Sequence, residues 1–432
     1  MIIRHIHKLA LLLCMIPALL LNTSCEKFGT NSKKKQQTIV LFSLGFNNLS
    51  NALKSDIEDL VTHSLTRDNS KKNNILIFSH HTSGTVNYSN PTSPVLTHIY
   101  RDTKNKVVRD TVLVMDPNTI SASAETIRGV LEFSLEKFPA ERYGMIVSSH
   151  GTGWAPEDYC NYPDKYDDIP DKDNIWGAYG RRERVISAPM MEGEPDVKSI
   201  GVQNISKSEM VEINITDLAD VIPTKMEFII FDACFMGGVE VAYELRKRCD
   251  KVVFSQTEIL ADGMDYNTML SYLLQPTEAD LKGFCNNYYM HYENQNGTYK
   301  SATISLVDCH KMEDLALVCK DIFETQRNEI AALEGNKGIQ RYYRSAYESI
   351  HGWFFDLESI VSASAPSEDQ LDRFREALNA CILYKATTLK FMNSINIVTH
   401  SGFSMYLPYK DRNYLNTFYK TLEWNKDTEL IR

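Results

Sequence analysis

A cysteine and a histidine each stand at the abrupt end of an apolar run. Cys234 follows Phe228-Ile-Ile-Phe-Asp232-Ala and precedes the Gly237-Gly238 turn and the helically spaced Val239–Leu245 segment. His150 follows Tyr143-Gly-Met-Ile-Val-Ser-Ser149 and opens His-Gly-Thr-Gly-Trp154. A thiol nucleophile and an imidazole base make an acyl-transfer pair if N–H donors are aimed at the developing oxyanion. The backbone amides of Gly151 and Cys234 are the candidate donors, and Gly151 has no side chain to obstruct one. A thiol just ahead of a helix also feels the positive end of its dipole, which predicts a thiolate. On these residues alone the rival reading is strong: a cysteine after an apolar strand commonly packs, and His-Gly commonly turns.

Both residues need a sheet to bring them together. Thr38–Gly45, Ile75–Ser79, Tyr143–Ser149, Glu227–Asp232 and Lys251–Ser255 read as buried strands, and Leu49–Leu65 and Ser121–Lys137 have helical spacing. Val95–Arg101 and Thr111–Met115 suggest a hairpin around the polar stretch 102–110. Strands alternating with helices predict an α/β fold with a doubly wound, mainly parallel sheet over residues 38–275. His150 and Cys234 then lie at the same end of the sheet and could meet if their strands are neighbours. Residues 155–214, rich in Asp, Pro, Gly and Tyr, read as an inserted loop. Residues 276–432 read as a C-terminal α+β domain: helices at 278–293, 311–333, 342–350 and 368–389, strands only at 302–307 and 402–407.

The 432 residues are ample for a real core, and a net charge of −10 offers no basic stripe for nucleic acid. Arg4, His5, His7 and Lys8 precede an apolar run, Leu9–Leu21, that is too short to span a bilayer. Thr23-Ser24-Cys25 then resembles a bacterial lipoprotein signal, although Asn22 holds the place where leucine is usual. The expectation is a signal over 1–25, a lipid on Cys25 as membrane anchor, and a polar tether over 26–37. A plain secretory signal is the alternative, and both point to the bacterial cell envelope, periplasm or exterior. Beyond the signal, Cys160, Cys234, Cys249, Cys285, Cys309, Cys319 and Cys381 show no metal-ligand spacing. Cys249, Cys285, Cys309, Cys319 and Cys381 read as packing residues.

Pro139-Ala-Glu-Arg-Tyr143 with His150-Gly-Thr-Gly-Trp154, then Asp232-Ala-Cys-Phe-Met-Gly237 with Glu240-Val-Ala-Tyr-Glu244, resemble the clostripain-like cysteine peptidases. Ser255-Gln-Thr-Glu258, Asp262-Gly-Met-Asp-Tyr266, Asp356-Leu357 and Gly402-Phe-Ser-Met-Tyr-Leu-Pro408 extend the likeness from Thr38 to Pro408. The resemblance implies a caspase-like fold and an endopeptidase cutting protein or peptide substrates after Arg or Lys; a monomer is expected. His150 would be the base and Cys234 the nucleophile. Asp232 would line the first specificity pocket, and a second acid is expected at Asp262, with Asp265 as runner-up. Met264 departs from the aromatic residue that this family commonly carries there.

Family members often mature by cutting themselves between the two dyad residues. Lys172, Arg181, Arg182, Arg184 and Lys198 are the candidate sites here. The family can also depend on calcium, for which Asp164, Asp167, Asp168, Asp171 and Asp173 could offer oxygens, though not with EF-hand spacing. Two other functions fit the same residues: a catalytically silent surface lipoprotein that binds through this fold, and a thiol amidase or acyltransferase.

Overall fold

The computed structural model describes residues 34–83, 92–160, 163–167, 197–198, 203–206, 209–344 and 352–432. Cys25, Lys172, Arg181, Arg182, Arg184, Asp168, Asp171 and Asp173 lie outside the described residues.

Nine strands form one sheet: β1 (Lys35–Gly45), β2 (Asn73–His81), β3 (Val95–Arg101), β4 (Val107–Val114), β5 (Ala140–Ser148), β6 (Met226–Asp232), β7 (Cys249–Phe254), β8 (Thr303–Asp308) and β9 (Ile382–Thr387). Their order is β9-β8-β7-β6-β5-β1-β2-β3-β4. The five central strands, β7, β6, β5, β1 and β2, run parallel. Antiparallel pairs flank them, β3 and β4 on one side and β8 and β9 on the other. Runs such as Phe228-Ile-Ile-Phe231 are buried along their whole length, as strands covered on both faces must be.

Chain order reverses between β1 and β5. The chain leaves β1 for β2, β3 and β4, then returns through helix Ala124–Lys137 to lay β5 on β1's other side. Such a reversal opens a crevice at the carboxyl ends of the strands, where α/β sheets place their ligands. The crossover helix starts cleanly because the Ser123 hydroxyl accepts the Thr126 N–H.

Residues 276–432, expected as a C-terminal α+β domain or extension packed against the sheet, supply β8 and β9 to that sheet, and Lys35–Arg432 forms one compact unit. The helix expected over 368–389 stops at Cys381, and Ile382-Leu-Tyr-Lys-Ala-Thr387 pairs antiparallel with β8. These β-branched and aromatic residues suit a half-buried edge strand. The 95–115 hairpin is tighter than expected. Asp102 Oδ1 accepts the N–H groups of Lys104 and Lys106 at 2.8 Å each, so β4 begins at Val107. The helix expected over Leu49–Leu65 is α-helical only over Ser50–Asp59, which we label α1, and ends in a π-helical turn, Leu60–Ser64. Of the expected 402–407 strand only Ser404–Met405 pairs. Of the helix expected over 342–350, residues 345–350 lie outside the described residues, and the Tyr342 N–H donates to the Phe354 carbonyl at 2.9 Å.

Candidate active site

The β5–β6 register pairs Ser148 with Asp232, and the Ser149 N–H continues the ladder to the Asp232 carbonyl at 3.4 Å. His150 and Cys234, each two residues further on, leave the sheet side by side. The chain just past His150 runs close against Cys234: a Cβ on Gly151 would lie 2.5 Å from the Cys234 carbonyl oxygen. Only glycine fits there.

Cys234 is fully buried. The Ile259 N–H donates to its Sγ at 3.0 Å. The thiol is pushed well above its ordinary range, first by burial and then by the Glu258 carboxylate; the Ile259 N–H and the Lys198 charge oppose this only in part. The thiolate expected from a helix dipole is therefore overturned. Helix Val239–Leu245 starts five residues beyond the sulfur and is only 7 residues long, so desolvation wins. Glu258 itself is held by the Arg344 guanidinium at 2.7 and 2.8 Å. Phe235, next to the nucleophile, has φ +58°, and its ring stacks on Phe354 at 4.8 Å. A left-handed phenylalanine costs on the order of 1–3 kcal/mol, so surrounding contacts must hold this turn.

His150 Nε2 lies 2.8 Å from Asn48 Oδ1. Asn48 stands just past the end of β1, across the reversal point from β5, so the crevice brings the two together. With Nε2–H donated to that carbonyl, Nδ1 carries the free lone pair. Burial lowers the imidazole to about 4, the nearby Lys198 carbonyl works against this, and the Lys198 charge adds to it. Thiol and imidazole are thus both neutral in this arrangement.

Asp232 is also fully buried. Its Oδ2 accepts from Ser148 Oγ and Tyr266 OH, both at 2.8 Å, and from the Lys198 ammonium. Lys198 Nζ further reaches Ser148 Oγ at 3.1 Å and Asp56 Oδ2 at 3.3 Å. The acids expected beside Asp232 are not the ones found there. Asp262 is exposed, and Asp265 is spent on Thr268 Oγ1 at 2.6 Å and Asn287 Nδ2 at 2.7 Å. Asp56, from α1, takes the place instead. Burial raises its carboxyl to about 7, against the pull of Lys198. Met264 is buried in the core.

The main chain of Lys198 is bound as firmly as its side chain. Its N–H donates to the Ile259 carbonyl at 2.8 Å, and Val197 bridges antiparallel to Leu260. Ile259 therefore holds Cys234 Sγ through its N–H and Lys198 through its carbonyl.

Asp167, one of the possible calcium oxygens, accepts from Tyr159 OH at 2.8 Å and caps helix Asn413–Tyr419 through the Tyr414 and Leu415 N–H groups at 2.7 and 3.3 Å. Its oxygens are occupied. Among the described residues no three or more His, Cys, Asp or Glu groups converge to hold a metal. The seven described cysteines are free thiols, all buried.

Asn48 and Asp56 were missed in the sequence, because neither lies in a motif. The one available signal was position: Asn48 follows directly on β1 and Asp56 lies in the helix after it, beside the strand that carries the histidine.

The clostripain family profile matches residues 42–175 and 190–430, and the chain belongs to that family. It is a cysteine-type peptidase with a caspase-like sheet flanked by helices. A secreted C11 cysteine protease of Bacteroides thetaiotaomicron, iotapain, is 25% identical, with 92% of this chain and 100% of that chain aligned at a TM-score of 0.68. An inactive zymogen C11 protease of Parabacteroides distasonis shares the fold: 24% identity, 92% of this chain and 99% of that chain, TM-score 0.71. A further structure of a secreted C11 protease of B. thetaiotaomicron, in complex with an irreversible peptide inhibitor, is 20% identical over 92% of this chain and 100% of that chain, TM-score 0.68. No curated relative matches the sequence.

Proposed function

We propose that this peptidase is made as a precursor that cuts itself after Lys198, and that the processed enzyme cleaves other proteins after basic residues. The observation that carries the reading is the double grip on Lys198. Its ammonium pairs with buried Asp232, and its main chain is strand-paired beside the nucleophile. A lysine held in this way has the posture of a residue awaiting cleavage, and it lies between His150 and Cys234 in sequence. The relative from P. distasonis is itself described as an inactive zymogen.

In this reading Cys234 Sγ attacks the Lys198 carbonyl carbon, and its proton passes to His150 Nδ1. The Gly151 and Cys234 amides stabilise the resulting oxyanion. His150 returns the proton to the Ser199 nitrogen as the C–N bond breaks, which leaves a Lys198–Cys234 thioester. Water, deprotonated by His150, releases the Lys198 carboxylate and restores the thiol. Cleavage frees the chain that fills the pocket, and a substrate lysine or arginine then takes the place of Lys198.

The Leu9–Leu21 run and Thr23-Ser24-Cys25 support export with lipid anchoring through Cys25 in a bacterial cell envelope. Among the described residues no helix is long and apolar enough to cross a membrane. The test is digestion of casein by the wild type beside Cys234→Ala, with the cut sites mapped. Cuts after Lys or Arg with wild type alone are expected; equal digestion by the variant, or cuts unrelated to basic residues, would refute the reading.

A further inference from the structure

The pocket that holds Lys198 presents three oxygen acceptors to three ammonium hydrogens. They are Asp232 Oδ2, Asp56 Oδ2 at 3.3 Å and Ser148 Oγ at 3.1 Å. Ser148 is free to accept because its own hydroxyl hydrogen goes to Asp232 Oδ2. Asp56 comes from α1, far in sequence from the other two, and its side chain is almost fully buried.

The wall beside the ammonium is main chain. A Cβ on Gly263 would lie 2.6 Å from Lys198 Nζ and 2.8 Å from Asp232 Oδ2, so not even a methyl group fits next to the charge. Gly263 cannot easily move aside. Its φ is +63°, and Tyr292 OH donates to its carbonyl at 2.6 Å.

We infer that the first specificity pocket selects lysine over arginine, and that Asp56 is the residue that confers the preference. This rests on Lys198 occupying the pocket as a substrate residue would. An ammonium is a compact charge with three donors, and these three acceptors match it. A guanidinium is longer and planar, and it presents five donors in a rigid fork. Where Lys198 Nζ now stands, its terminal nitrogens would press on Asp56 and on the Gly263 wall. Among the described residues it would gain Asp232 Oδ1, a buried carboxylate oxygen without a hydrogen-bond partner.

Two measurements test the inference. In the first, kcat/KM is compared on peptides differing only in Lys or Arg at the cleaved residue, with processed wild type and Asp56→Asn. Wild type is expected to favour Lys by roughly tenfold or more, the scale of about 1.4 kcal/mol of lost pairing. Asp56→Asn is expected to lower the Lys value and bring the ratio near one. In the second, Lys198→Arg is followed for self-cleavage with Asp56 intact, which avoids any folding defect of the Asp56 variant; it should slow by a similar factor. Arginine cleaved as well as lysine, an unchanged ratio in Asp56→Asn, or undiminished self-cleavage of Lys198→Arg would each overturn the inference while leaving a basic-residue peptidase intact. Hydrolysis of neither peptide would sink the underlying reading as well.

Discussion

Lys198 and Asp232 form an ion pair from which water is excluded, for neither side chain has any exposed surface. Asp232 lies two residues ahead of Cys234, so whatever fills this pocket also sits at the nucleophile. On the proposed reading this one contact would serve both substrate recognition and the closed state of the intact chain.

Removing the ammonium should both block processing and destabilise the precursor. Lys198→Met leaves two buried carboxylates facing each other, and losing one partner of a buried pair costs about 3–5 kcal/mol. The cost depends on pH with a definite sign. Burial already raises Asp56 to about 7 against the pull of Lys198, so removing the ammonium raises it further; the deficit is small below the unfolded value of about 4, where the group is protonated in both states, and grows as pH rises through about 7. Urea denaturation of Lys198→Met in a Cys234→Ala background should therefore show a larger deficit at pH 8 than at pH 5.

Asn48 Oδ1 lies 2.8 Å from His150 Nε2, so on the proposed mechanism it positions the imidazole. Asn48→Ala should lower kcat by about fivefold, the scale of one lost hydrogen bond of about 1 kcal/mol, with little change in KM. Asn48→Asp, which keeps an oxygen acceptor, should restore most of the rate. A rise in KM at unchanged kcat would assign Asn48 to substrate binding instead.

The intact pair should titrate far apart from the processed one. Protonated His150 cannot act as a base, so self-cleavage falls as pH drops through its pKa. Burial sets that near 4 in the intact chain. The acid limb of single-turnover self-cleavage should lie near there. Once the insert is released and water enters, the limb for peptide hydrolysis should move up towards the ordinary histidine value of about 6.5.

Cys234 should be slow to alkylate before cleavage and fast after it. Burial and the Glu258 carboxylate hold the thiol protonated in the intact chain. Each pKa unit recovered on exposure raises the thiolate fraction about tenfold. Iodoacetamide labelling of Lys198→Met, which stays intact, beside processed wild type checks this.

Much of this could be read from the chain. The apolar runs ending at His150 and Cys234 were legible as strands of one sheet, but their adjacency came only with the strand order, and Asp232 was marked only by the family resemblance. Local pattern failed where tertiary partners decide. Ile382–Thr387 continues a helical pattern until β8 offers it an edge. Asp262 and Asp265 look like pocket acids, yet the chain turns one to solvent and the other to Asn287. Asp56 and Asn48 carry no motif; only the strand order, which sets β1 against β5, brings them to the site.

Intact-mass spectrometry of purified wild type beside Cys234→Ala tests the central claim most directly. The account predicts wild-type fragments with one new end at Lys198 and the other at Ser199, and none in the variant. An uncut wild type, cutting that persists in Cys234→Ala, or new ends elsewhere in the insert would contradict it.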